Sequence, residues 1–409
     1  MLGPTIIFDK STLQSLTIDE SCWLDNFFVS NITPLLYVET LADLEKEVKG
    51  RRTPQTPQQV VGELAVKTPS APCFPNLHHH TLFVNNLLGY PVTLANVPAI
   101  GTGQPMRSGF GVGVHYRPFP EVEALQRWQH GEFLAVERDF AREWRRSLSS
   151  VSFEPGLALV KGIAPRRFKT LAEVKTFVDQ LMDQMDEKIL HAALYLQEVP
   201  AGLADKIVVR WVESNRPPFG EFAPYAAHVL KVDLFFFLSL ASDLISRDRP
   251  SNRIDVAYLY YLPFTMIFAS DDKLHKKTAP LFMETGQVFV LGRELKSALG
   301  QLDTYYWGLP SEVKEQGIIT MAPYPPEQCE TLVTKLWDRF SPSWRQSAIE
   351  ARSPQRGDEV TVESLERTLG QAMPIGSVGE AAAEPDYYHF QSLVERTKGK
   401  WNILPPDVG

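Results

Sequence analysis

The chain has 409 residues, with 49 acidic against 41 basic side chains and a formal net charge of −8. Its length, together with 23 Phe, 13 Tyr and 8 Trp, excludes both a single small module and a chain disordered throughout. The acidic balance excludes a protein coated in basic surface, while leaving room for a local basic groove.

From the N-terminus, Thr5-Ile6-Ile7-Phe8 is a short apolar run ending in Asp9, the pattern of a buried strand whose C-terminal end carries a carboxylate. Thr17-Ile18-Asp19-Glu20 matches a capping box, and Trp23, Phe27 and Phe28 follow at helical spacing. A second apolar run, Pro34-Leu35-Leu36-Tyr37-Val38, reads as a strand leading into Glu39 and a helix over 40–48. Strand and helix alternating in so short a stretch predict a parallel sheet. Residues 49–75 shift to Pro, Gln, Thr and Lys and read as a loop or linker. A glycine-rich stretch over 100–114 follows, then long helical patterns over 121–147 and 171–197 and a strand over 207–212.

Alternation returns near Tyr225. An apolar helix over 226–246 precedes a polar turn at 247–253, and Asp255 opens a helical segment. A strand over 265–269 ends in Ser270-Asp271-Asp272, and a helix over 273–283, a strand over 287–291 and a helix over 293–306 complete the pattern. Beyond Pro310, residues 327–340 read as an amphipathic helix and 353–385 as polar and poorly patterned. The economical organisation is one α/β domain built from 1–48 and 225–310. It is interrupted by a mostly helical, partly basic insertion at 49–224 and followed by a C-terminal extension at 311–409.

Four acids share one expected address, because in an open parallel sheet the strand C-termini and helix N-termini meet along one edge, where ligands bind. Asp9 ends the first strand, Glu39 follows the second, Asp255 opens a helix and Asp272 lies just past a later strand. Clustered carboxylates repel one another unless a cation neutralises them, and oxygen-only donors suit Mg²⁺ or Mn²⁺. Such ions activate water and brace a phosphodiester without a protein nucleophile. The plainer expectation for each acid taken alone is a helix cap or turn.

The segments IIFDKSTLQSL, LLYVETLADL and NRIDVAYLYYLPFTMIFASDDKLH together resemble the PIN-domain nucleases. In that family an Asp ends strand one, a Glu opens the helix after strand two, an Asp opens a later helix, and a Thr/Ser-x-Asp follows the next strand. The resemblance covers about a third of the chain. It implies an α/β/α sandwich around a parallel sheet and Mg²⁺- or Mn²⁺-dependent hydrolysis of phosphodiesters, RNA ahead of DNA. By that resemblance Asp9, Glu39, Asp255 and Asp272 are the catalytic and metal-binding acids. Asp271 is an alternative to Asp272, and Asp43, one helical turn beyond Glu39, an alternative to Glu39.

Ser270, Asn252 and Lys273 are polar neighbours of these acids and candidates to meet substrate; Ser270 can hydrogen-bond a ligating carboxylate or a phosphate, or stabilise its turn, and His275 reads as an exposed helical histidine. Arg138, Arg142, Arg145 and Arg146 fall on one face of a helix by their spacing, and residues 107–175 hold 12 basic against 8 acidic side chains. A face carrying Arg142, Arg145 and Arg146 beside a metal site suits a phosphate backbone. The other reading of that face is a solvated helix whose arginines pair with Glu132, Glu137, Asp139 and Glu143. Three consecutive residues cannot all face one ion, so His78-His79-His80 is not read as a zinc site. The stretch 103–113 lacks the lysine of a P-loop, and Phe235-Phe236-Phe237, Tyr258, Tyr260 and Tyr261 read as core.

Cys22, Cys73 and Cys329 fit neither a disulfide framework nor a zinc site. The most apolar stretch, 232–245, is too short to span a bilayer and carries Asp233 and Asp243. The first ten residues, MLGPTIIFDK, carry no secretory pattern. The expectation is therefore a cytoplasmic nuclease acting on nucleic acid, with a protein partner or second copy meeting the insertion and no membrane contact. The alternative is a PIN-like fold that no longer cuts and serves as a binding or scaffold subunit.

Overall fold

The computed structural model describes residues 3–50, 55–69, 73–100, 103–108, 111–116, 120–150, 153–164, 166–183, 186–249, 251–351 and 396–404. Its strands in chain order are β1 (Thr5–Phe8), β2 (Val29–Ile32), β3 (Cys73–Pro75), β4 (Gly103–Ser108), β5 (Gly111–Tyr116), β6 (Ile267–Ala269), β7 (Val288–Val290), β8 (Thr397–Lys398) and β9 (Trp401–Asn402). Five of them form one parallel sheet in the order β3-β2-β1-β6-β7. β4 with β5 and β8 with β9 are separate antiparallel hairpins.

β1 lies at the centre of the sheet and is apolar at every position after Thr5 because both its faces are covered. Alternation along the strands then divides the core. Ile7 and Phe268 join one cluster, with residues of the helices Glu154–Ile163, Leu171–Met182 and Pro224–Ala241. Ile6, Phe8, Ile267 and Ala269 join the other, with residues of Ile18–Phe27, Gly292–Trp307 and Leu332–Phe340. The chain is thus a mostly helical α/β fold with helices covering both sheet faces. Pro224–Ala241 is the one described helix long and apolar enough to cross a membrane, and most of it is buried in this core.

Several expected elements are placed differently. The run 34–38 is the start of the helix Pro34–Gly50, not a strand. Proline suits the first turn of a helix, and Leu36, Leu41 and Leu44 reach the core at helical rather than alternating spacing. The strand is the preceding Val29-Ser30-Asn31-Ile32, whose polar residues are buried. Asn31 Nδ2 donates to Phe264 O at 3.0 Å and its Oδ1 accepts from Asn76 Nδ2 at 3.1 Å. The stretch read as a linker holds the capped helix Pro57–Ala65 and β3, an edge strand where proline costs little.

Residues 207–212 lie inside the helix Ala201–Glu213 rather than in a strand. The pattern over 121–147 divides into Pro120–Gln129 and Ala135–Ser150, with Gly131 between them at φ 72°. The pattern over 171–197 likewise divides into Leu171–Met182 and Asp186–Leu196. At the C-terminal side, Lys398 Nζ donates to Asp25 Oδ2 at 2.8 Å and Trp401 packs on Trp23, so the last hairpin closes over the helix Ile18–Phe27.

Candidate functional site

β1 and β6 are neighbours in register, Phe8 opposite Ala269, so the residues that follow them, Asp9 and Ser270, emerge side by side. The Asp9 backbone N–H donates to Ala269 O at 3.3 Å and fixes that junction. Asp9 is buried and caps the short helix Lys10–Ser15. Its carboxylate accepts from Thr12 N at 2.8 Å, from Ser11 Oγ at 3.0 Å and from Ser270 Oγ at 2.6 Å. Asp272 caps the helix Lys273–Phe282 through Oδ1, which accepts from Leu274 N at 2.6 Å and His275 N at 3.2 Å. The capping expectation holds for these two acids.

Asp255 lies in the first turn of the helix Asn252–Ala257, and Glu39 in the second turn of Pro34–Gly50, where its Oε2 accepts from Tyr258 Oη at 3.0 Å. Burial pushes the Glu39 carboxyl up to about 7; Lys10 opposes this, while Asp9 and Asp255 add to it. Burial likewise raises Asp255 to about 6, opposed by His275 and reinforced by Asp272 and Asp9. The four acids therefore share one electrostatic neighbourhood, and the carboxyls of Glu39 and Asp255 titrate well above the usual carboxylate range. Such shifts mark groups able to exchange protons, or to exchange a proton for a cation, near physiological pH.

His275 is buried at 1% exposure, not exposed as expected. Its helix turns His275, Thr278, Ala279 and Phe282 inward at spacings of three, four and seven. Its Nε2 stands 2.7 Å from the Asp255 carbonyl and must donate there. Its Nδ1 stands 2.8 Å from Ser270 Oγ, which is itself 2.6 Å from Asp9 and accepts from Asp272 N at 3.0 Å. A neutral ring would take the Ser270 proton and leave Asp9 facing a lone pair. A doubly protonated ring satisfies every group, with His275 donating to Ser270 and Ser270 donating to Asp9. Burial pulls the imidazole down, and the negative charge of Asp9, whose Oδ2 lies 3.7 Å from Nδ1, with Asp255 behind it, outweighs that and raises its pKa. Burial pushes Asp9 up, and His275, Ser270 and Thr12 together bring its pKa below the usual carboxylate value.

The remaining sequence candidates fall unevenly. Ser270 is fully buried and bridges Asp9 to His275. Lys273 is exposed at the start of its helix, and Asp271 is exposed with Arg293 Nε 4.0 Å from its Oδ1. Asn252 Nδ2 donates to Ser246 O at 2.9 Å, inside the preceding turn. Arg142 lies on the helix Ala135–Ser150, which packs against Pro34–Gly50, and its Nη1 is 3.6 Å from Asp139. The side chains of Asp43, Arg145 and Arg146 lie outside the described residues. Two participants were not foreseen: Lys10, buried and pulling on Glu39, and Gly292, where a Cβ would come within 2.6 Å of Thr12 Oγ1 and 3.1 Å of Asp271 Oδ2.

In donor chemistry the edge fits a hard divalent ion, because every acid offers oxygen alone. Among the described residues, however, no three His, Cys, Asp or Glu side chains stand together as a ligand set. Asp9 and Asp272 are turned to their caps and Glu39 to Tyr258, so holding an ion calls for these side chains to rearrange. No protein-family model, no curated protein and no solved structure matches this chain.

Proposed function

We propose that the acidic edge is the centre of a PIN-like, metal-dependent nuclease that hydrolyses phosphodiesters, RNA ahead of DNA. One observation carries the reading: Asp9, Glu39, Asp255 and Asp272 come from four separate elements, yet Ser270 bridges Asp9 to the Asp272 backbone and to His275, His275 reaches the Asp255 carbonyl, and Tyr258, three residues past Asp255, donates to Glu39. Their addresses support it as well. One acid follows β1, one lies on the helix after β2, one on the helix before β6 and one past the end of β6. Asp9, Glu39, Asp255 and Asp272 would hold Mg²⁺ or Mn²⁺, with Asp271 at the margin.

When bound, such an ion polarises water and offsets the charge that builds on the phosphate. The chain's own residues do the rest. Glu39, held near 7 while no cation is present, would give up its proton as the ion binds. His275 and Ser270 hold Asp9 ionised and oriented. Exposed Lys273, Lys276 and Lys277 line the first turns of the helix that starts at the edge, where a phosphate backbone meets positive charge. A cytoplasmic setting and a protein partner or second copy at the insertion complete the proposal. The test is cleavage of single-stranded RNA and DNA with Mn²⁺. Asp9→Asn and Asp272→Asn should each abolish it, and equal cutting by all three proteins overturns the assignment.

A second reading has its own observation. Lys10 is buried among the acids and His275 carries charge against Asp9, so part of the repulsion is already offset from within. That balance suits a PIN-like fold that binds or scaffolds without cutting, and a folded wild-type protein inert on both substrates favours it.

A further inference from the structure

A second buried polar group lies behind the acidic edge. Asp233 is fully buried near the middle of the apolar helix Pro224–Ala241. Its Oδ1 accepts from Arg253 Nη1 at 2.7 Å and from Tyr260 Oη at 2.5 Å, and its Oδ2 accepts from Gln197 Nε2 at 2.5 Å. The Arg253 guanidinium also lies 5.4 Å from the Phe236 ring and 5.8 Å from those of Phe237 and Tyr260. Replacing a buried ion pair by apolar side chains is often neutral or stabilising, so this arrangement is weakly explained by stability alone.

The partners of Asp233 point to its use. Arg253 and Tyr260 belong to the continuous stretch formed by the helix Asn252–Ala257 and the 3-10 turn Tyr258–Phe264. At about 100° per residue in the helix and about 120° in the 3-10 turn, Arg253 and Tyr260, seven positions apart, lie on one side. Asp255 and Tyr258 lie three apart on the other. The Asp255 carbonyl accepts from His275 Nε2 at 2.7 Å, and Tyr258 donates to Glu39 at 3.0 Å. The stretch is a bar gripped on one side by the helical layer and presenting two groups of the edge on the other.

We propose that Asp233 is a positioning residue: through Arg253 and Tyr260 it fixes the bar that sets Asp255 and Tyr258 at the acidic edge. This inference rests on the functional reading for what the edge binds, though not for how the bar is held. The insertion therefore builds the site from behind, by way of Gln197, as well as offering surface to a partner.

The test compares full-length Asp233→Asn with Asp25→Asn, which breaks the buried Asp25–Lys398 pair elsewhere in the fold. Amide hydrogen exchange over 252–264 and Mn²⁺ affinity by calorimetry are the two readouts. Asp233→Asn should lose protection over 252–264 and weaken Mn²⁺ binding by about tenfold to a hundredfold, the usual effect of removing a supporting partner. Asp25→Asn should leave both unchanged even where its melting temperature falls as far. Should Asp233→Asn not fold, Tyr260→Phe asks the same question more gently. Unchanged exchange over 252–264 in the Asp233 and Tyr260 variants, or equal loss in Asp25→Asn, overturns the proposal. Wild-type protein that binds no Mn²⁺ sinks the metal reading instead, and the exchange data alone then decide the anchor.

Discussion

Asp233 and Glu39 are both carboxylates carried on long helices, the first fully buried and the second half-buried, and the protein treats them in opposite ways. Asp233 receives three donors, one of them a guanidinium. Burial alone would lower the Arg253 pKa, and Asp233 with Tyr260 more than reverses that. Glu39 receives one phenol, feels Lys10 and faces two like charges, and burial lifts it to about 7. The closed group is a joint between helix and sheet layer, with its charge balanced where it stands. The acidic edge keeps a deficit of positive charge that a proton fills near neutrality and that a cation could fill instead.

The sharpest way to break this contrast is to delete one acid from each region. Asp233→Ala leaves the half-buried Arg253 guanidinium beside the Phe236, Phe237 and Tyr260 rings without its carboxylate and should cost about 3 kcal/mol, read from urea unfolding at pH 7.5. A loss under about 1 kcal/mol would mean that the closed group is not closed. Glu39→Gln should act with the opposite sign. At pH 8 in EDTA the native state carries an ionised Glu39 that it disfavours, by its shift from 4.5 to about 7. Relieving that should gain roughly 2–3 kcal/mol, at about 1.4 kcal/mol per unit. Asp255→Asn should gain somewhat less, and destabilisation by both would remove the deficit.

A pH series without metal sharpens the same point. The unfolded chain releases the Asp255 and Glu39 protons near 3.8 and 4.5, and the folded chain near 6 and 7. Between those values the folded state holds more protons, so its stability falls as pH rises. His275 acts in the same direction: its contribution is whole below the usual 6.5 and is lost as pH rises through its raised folded value. Asp9, lowered below 3.8, contributes stability above that value and loses it only in stronger acid. The urea midpoint in EDTA should therefore decline from pH 5 to pH 8, and a midpoint that climbs over this range contradicts the account.

The sequence disclosed the edge better than its frame. Thr5 to Asp9 and the strand ending in Ser270-Asp271-Asp272 were legible because central parallel strands are continuously apolar and stop at polar turns. β2 was hidden: with Ser30 and Asn31 buried, Val29–Ile32 shows neither an apolar run nor clean alternation, and the richer run after Pro34 drew attention instead. β3 was masked by Pro75, which an edge strand tolerates.

His275 could have been placed from its own helix, since Thr278, Ala279 and Phe282 mark the inward face. Asp233 also left a signal, a lone acid in an apolar helix, which is rarely buried without a partner. That the partners were Arg253, Tyr260 and Gln197 was not legible, because the contacts join helices whose relative placement no local pattern encodes.

The most direct test of the central claim is the melting temperature of the wild-type protein and of Asp9→Asn at pH 7.5, with and without millimolar Mn²⁺. The account predicts that Mn²⁺ raises the wild-type midpoint, as any ligand of the native state does. It also predicts that the rise disappears at pH 5, where protons occupy Glu39 and Asp255, and in Asp9→Asn at either pH. No shift in the wild-type protein at pH 7.5, or an equal shift in Asp9→Asn, would contradict it.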